Sequence, residues 1–260
     1  LSQSPVVTLY FGVETPLPDP CHPHTIPLAH TDIEIPLRFS QWDVHIKTDL
    51  PNANTRVETE DALFALGTAY CVSFPGYVPS GYEFIGVVPD EPFWYYDSEA
   101  PSPGYDSQDM TSAEVGALCQ WNPNNPAKGA ASMNKWLQVQ LVAIRGPQGG
   151  YVSMWEDPGT APIVFFASAD GISDTDVYYT PARQHSHKSW AFTEPGLYEV
   201  DLQISTYYIC DPLLTADLND DCFVDMQDFA LFAAQWVSDG LLDFVEQWLD
   251  CGSPFESECP

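Results

Sequence analysis

At 260 residues the chain is long enough for one large domain, or for one large domain and one small. Its 37 acidic side chains against 8 basic ones give a formal net charge of −29, which excludes the basic footprint that nucleic acid requires and disfavours anionic membrane surfaces. An apolar fraction of 45%, with 13% aromatic residues, is ample for a packed core and excludes wholesale disorder.

The sequence begins at Leu1 rather than Met, as a processed secretory chain or a trimmed one would. No apolar run approaches the ~18–20 residues of a membrane span. Seven cysteines, at 21, 71, 119, 210, 222, 251 and 259, contain no C-x-x-C pair for a zinc ribbon or a redox dithiol. Their wide spacing suits disulfides in an oxidising compartment, and the odd number leaves one thiol free or paired between chains. The expectation is an extracellular or cell-surface protein without a membrane span.

Residues 1–25 are proline-rich and read as an extension. Within them VVTLYFGV, Val6 to Val13, has the composition of an extra strand that pairs with its own sheet or with a neighbouring molecule's edge. From about Thr25 to Thr206 the apolar residues recur with period two. WDVHIK sets Trp42, Val44 and Ile46 on one face against Asp43, His45 and Lys47 on the other. YEVDLQIST alternates Tyr198, Val200, Leu202 and Ile204 against polar neighbours. WLQVQLVAI (136–144), PIVFFAS (162–168) and EFIGVV (83–88) are further strand candidates, separated by turns such as PQGG and DPG. Val87 to Pro126 reads as a long loop excursion with one short helix at SAEVGAL. Strands at this spacing without intervening helices predict an antiparallel β-sandwich over residues 26–209.

All six histidines fall in short pairs: His22 with His24, His30 with Asp32, Asp43 with His45, and His185 with His187. On a strand, residues i and i+2 point to the same face roughly 6–7 Å apart. A His-x-His segment therefore either faces solvent as ordinary polar residues or supplies two ligands of a copper or zinc site. His185 and His187 are the core candidates, with His30 or His45 completing the set.

Past Cys210 the period changes. DFALFAAQWV places Phe229, Phe232, Ala233 and Trp236 on one helical face, and LDFVEQWLD does the same with Phe244, Val245, Trp248 and Leu249. Residues 210–260 therefore read as a small helical domain. Ahead of its first helix stands DLNDDCFVDMQD. Asp217, Asn219, Asp221, Asp225 and Asp228 take positions 1, 3, 5, 9 and 12 of a calcium loop, with the Phe223 carbonyl at position 7. Cys222 replaces the usual glycine at position 6, and Asp228 is shorter than the usual glutamate. The bland alternative is a solvated acidic loop.

This segment resembles a bacterial dockerin-type repeat, in which a calcium loop and helix occur twice. The second copy is incomplete: Asp239, Gly240, Asp243 and Glu246 fit, but Gln235 and Val237 stand where charged ligands belong, so a second calcium site is weak or absent. Cys222 and Cys251 are candidates to clip the first loop to the end of the second helix.

The run HSHKSWAFTEPGLYEVDLQIS resembles the closing motif of the bacterial surface domain called choice-of-anchor M, with His185, His187, Trp190, Phe192, Pro195, Gly196 and Tyr198 in matching places. AHTDIEI, with His30 and Asp32, is similar to that family's opening segment. The resemblance covers about Ala29 to Thr206. It implies a secreted or wall-attached β-sandwich with no established catalytic activity, and some relatives accompany metal-uptake transporters.

No Gly-x-Ser-x-Gly, His-Glu-x-x-His or phosphate-binding glycine loop is present, so a non-enzymatic role is expected. The reading is a calcium-stabilised surface protein with a histidine metal site. Two others stand beside it: a structural subunit that meets a protein partner or its own copies at the cell surface, and a polysaccharide-binding adhesion module using Phe93, Trp94, Tyr95 and Tyr96.

Overall fold

The computed structural model describes residues 2–15, 21–26, 30–38, 41–49, 51–97, 103–118, 135–207, 218 and 226–235. Among these the chain is mainly β, with sheets of seven, five and five strands, one two-stranded hairpin and two α-helices. No helix among the described residues is long and apolar enough to cross a membrane.

The seven-stranded sheet runs in the order Val177–Pro181, Trp136–Arg145, Gly196–Thr206, Val7–Val13, Ala62–Leu66 and His24–Ile26, and Ser2–Gln3 also pairs with Gly196–Thr206. The alternation read in YEVDLQIST is the cause of its longest strand: Tyr198, Val200, Leu202 and Ile204 are all buried. Of the two pairings open to the Val6–Val13 segment, the strand Val7–Val13 takes the one with its own sheet, between Gly196–Thr206 and Ala62–Leu66. Pro195 and Gly196 turn the chain into that long strand, and the Tyr198 hydroxyl closes the turn by donating to the Glu194 carbonyl at 2.9 Å.

A second sheet holds Cys71–Ser73, Pro92–Tyr96, Ser189–Phe192, Val152–Glu156 and Ile163–Ala167. The third holds His185–His187, Gly104–Asp106, Thr31–Glu34, His45–Thr48 and Thr55–Val57. One hydrophobic cluster takes residues from all three, among them Phe11, Val200, Trp190, Met154, Ile33 and Tyr105. That shared core fixes how the strands face: in each, one set of alternate side chains must point into it.

Three readings change. Two of the three large sheets are mixed rather than purely antiparallel, because Val7–Val13 and His24–Ile26 run parallel to Ala62–Leu66, and Gly104–Asp106 runs parallel to Thr31–Glu34; the second is antiparallel throughout. Long connections make this possible, since parallel neighbours cannot be joined by a tight turn. The apolar run EFIGVV is not a strand: Glu83–Ile85 forms a 3-10 turn that Gly86 ends at φ +83. The Val87–Pro126 excursion contains two strands, Pro92–Tyr96 and Gly104–Asp106, besides the expected helix, seen as Ser112–Gly116. Thr111 caps that helix and Glu114 returns the bond, the reciprocal pattern that starts a helix.

The chain has few cations, and several are committed to local carboxylate partners. Arg56 pairs with Asp43 and Glu58, Arg145 with Glu199 and Asp201, and Lys188 with Glu156. Cys71 carries an exposed free thiol on an edge strand, while Cys119, Cys210, Cys222, Cys251 and Cys259 lie outside the described residues.

Candidate metal centre

In the third sheet, the alternation that sends Ile33, Ile46, Val57 and Tyr105 into the core turns Asp32, Glu34, Asp106, His45 and Lys47 to the opposite face. Strand register then decides which of these meet. His187 lies across from Gly104, and Gly104 across from Asp32. A Cβ on residue 104 would stand 2.3 Å from Asp32 Oδ1 and 3.0 Å from the His187 ring. Glycine is therefore what lets Asp32 and His187 close over the strand that separates them.

The result is a cluster of His30, Asp32, His185 and His187 whose ligand atoms all lie within 4.8 Å of one another and which could hold a metal ion. His185 Nε2 donates to Asp32 Oδ1 at 2.7 Å, and His187 Nε2 stands 3.7 Å from the same oxygen. The two rings of His185 and His187 are 4.8 Å apart and perpendicular, held by a strand whose middle residue, Ser186, shares a 2.6 Å hydrogen bond with the Tyr178 hydroxyl on the other face. His30 closes the group, its Nδ1 3.6 Å from Asp32 and 3.8 Å from Asp49. Side-chain exposure rises from 1% at Asp32 through 11% at His187 and 26% at His185 to 41% at His30. The cluster thus has a buried floor and an open lip.

Asp32 is the unusual member. Its Oδ2 is buried without a hydrogen bond. Lys47 stands directly across from it in register, yet the ammonium turns away to Glu34 and, at 2.7 Å, to Asp106. Burial disfavours the Lys47 charge, but hydrogen bonds to Asp106 and Glu34 outweigh it and hold the amine above its ordinary range. Burial also pushes Glu34 up to about 7, against the pull of Lys47 and with the help of Asp106. Three buried carboxylates therefore share a face with one ammonium, and the ammonium serves two of them.

Of the four histidines read as metal candidates, the structure brings together His30, His185 and His187. It does not bring in His45. That side chain sits across from Glu34, two pairs along the register from Asp32, and its Nδ1 donates to the Asp43 carbonyl at 2.8 Å. Asp32, first noted only as the partner of His30 in its pair, is the fourth member. The signal for it was the His-x-Asp spacing itself, which places both side chains on one face. His22 and His24 lie elsewhere, His22 buried against the Tyr10 ring at 4.1 Å.

Of the calcium loop, Asp217, Asn219, Asp221, Phe223 and Asp225 lie outside the described residues, as do Asp239, Asp243 and Glu246 and the cysteines Cys222 and Cys251. Asp228 is described. It is buried, and it accepts the Leu218 N–H at 2.7 Å in the first turn of the helix Met226–Gln235. Phe232 on that helix is buried, while Phe229 is 40% exposed. Among the aromatic residues of PFWYYD, Phe93, Trp94 and Tyr96 are buried and Tyr95 alone is half-buried.

The chain matches no known family model, no curated protein and no solved structure.

Proposed function

We propose that the chain is a secreted or cell-surface, non-enzymatic protein whose β-sandwich-like domain holds one transition-metal ion, zinc or copper, on His30, Asp32, His185 and His187. The observation that carries this reading is the buried Asp32 carboxylate, which faces imidazoles and no ammonium. Imidazole nitrogen suits zinc and copper, whereas calcium prefers a shell of oxygens, so the donor set favours the former. Around tetrahedral zinc the donor atoms stand roughly 3.3 Å apart, and adjustments on the order of an ångström would gather this cluster to that spacing. Four protein ligands fill a tetrahedron and leave no position for a reacting water, which supports binding rather than catalysis. The ligands come from two chain segments far apart in sequence, so the ion would also tie the sheet together. The resemblance to the choice-of-anchor M domain agrees with a surface protein of this kind. The acidic loop adds a calcium site to the reading, supported by the spacing of its ligands in the sequence.

The test is metal titration of the chelator-treated full chain, followed by calorimetry and elemental analysis. About one zinc or copper per chain is expected, retained on gel filtration and lost when His185 and His187 are both replaced by alanine. Equal metal retention by that double variant would remove this cluster from consideration, as would the absence of retained zinc or copper in the unaltered chain.

A further inference from the structure

The outer face of the second sheet carries a feature unrelated to the histidines. The segment between Phe74 and Val87 folds back over part of this face, building a small second core from Ile85, Phe93, Trp155 and Ala191. Beside it a groove of about 510 Å³ remains open. Tyr95 and Trp155 rise from the two strands that flank Ser189–Phe192, across from Ala191 and Ser189 respectively, and those small side chains leave the two rings near each other. Their rings lie within 19° of parallel with centroids 6.3 Å apart, and Tyr82 stands at 89° to Trp155 as a side wall. Two exposed carboxylates, Asp97 and Asp157, are the charged groups lining the groove.

We propose that this groove binds an uncharged oligosaccharide segment of a polysaccharide. Near-parallel aromatic rings on one sheet face offer an apolar platform. A platform is what the apolar C–H face of a sugar ring covers, and the volume falls in the range of ligand-sized pockets. The rim supplies what the edge of the sugar needs, since ionised carboxylates accept hydrogen bonds from neighbouring hydroxyls strongly. Asp157 is held ionised by the hydrogen bond it accepts from the Tyr82 hydroxyl, with the Gly159 N–H adding to it. Charge complementarity narrows the occupant further. No lysine or arginine lines the groove, and a chain of net charge −29 repels uronate and sulfated sugars.

Affinity electrophoresis of the full chain through gels containing laminarin, xyloglucan or galactomannan tests this, with polygalacturonate as the anionic counterpart and tryptophan fluorescence read in parallel. Retardation by at least one neutral polysaccharide and none by polygalacturonate is expected. Tyr95→Ala should weaken that binding by about tenfold or more, the loss of one ring's stacking. Asp97→Asn, at an exposed position where the fold is not at risk, should weaken it severalfold, and chelator should leave it unchanged. Three results would overturn the proposal: no retardation by any of the three neutral polysaccharides, undiminished retardation of both variants, or a fluorescence response to choline in place of the polysaccharides. The histidine cluster plays no part in this assay, so its outcome is independent of the metal reading.

Discussion

Two groups of carboxylates share one face of the third sheet and are buried alike, yet the chain treats them differently. Glu34 and Asp106 are served by Lys47, a cation the sequence itself provides. Asp32, two residues along the strand from Glu34, is surrounded by three histidines instead, and like Glu34 it keeps one oxygen without a hydrogen bond. Burying an anion is costly unless something compensates it. The first group carries its compensation permanently, and the second carries groups that a metal ion can recruit. Proximity alone does not explain the difference, because Lys47 stands across from Asp32 in register and still points elsewhere.

The largest effect expected on this contrast comes from Lys47→Met. It leaves Glu34 and Asp106 buried without their cation and should cost about 3–5 kcal/mol in urea unfolding, with no rescue by zinc. A zinc-dependent rescue would mean that the two groups are one site. Asp32→Asn should act the other way: the metal-free protein keeps at least its original stability, while metal no longer protects it. For the unaltered chain, metal at a thousandfold excess over its dissociation constant should add about 4 kcal/mol, read as a shift in thermal unfolding.

The third effect is one of pH. Glu34 titrates at about 7 in the folded chain against an ordinary 4.5, so the folded state binds its proton more tightly than the unfolded state does. That contribution to stability is present at low pH and is lost as pH rises from 4.5 through about 7. Glu34→Gln should flatten the stability profile across this window by roughly 1–3 kcal/mol, and an unchanged slope would assign the titration elsewhere. Smaller still is Gly104→Ala, whose added methyl group meets both Asp32 and His187. Metal affinity should fall by about tenfold, as when the support of a ligand is disturbed, and crowding of the buried Asp32 carboxylate should offset what the strand gains from the loss of glycine. His45→Ala should leave metal affinity as it was.

Much of this was legible in the sequence and some was not, for physical reasons that differ by element. Period-two alternation in YEVDLQIST and WLQVQLVAI reports burial of one face directly, so those strands could be read. His185 and His187 could be read too, because i and i+2 on any strand share a face. The choice between His30 and His45 as their companion could not. It depends on Gly104–Asp106 running parallel to Thr31–Glu34, a pairing between distant segments, one of them in a stretch whose prolines and glycines read as loop. EFIGVV failed for the opposite reason: its composition suits a strand, but Gly86 adopts a left-handed conformation that ends it as a turn. The role of Gly104 was invisible for a simpler cause, since a residue that matters by leaving space shows no chemistry of its own.

The place of Val7–Val13 has a consequence for the time order of folding. Its neighbour on one side is Gly196–Thr206, and the side-chain bond from Thr8 to Asp201 spans 193 positions. The bond from His185 to Asp32 spans 153. A chain emerging from the ribosome or from an export pore exposes Val7–Val13 long before its partner exists. Contacts this far apart in sequence make folding slow and leave apolar strand edges open meanwhile. The largest sheet and the histidine cluster are therefore completed together and late, so metal uptake by the growing chain would mark the moment at which its fold has closed.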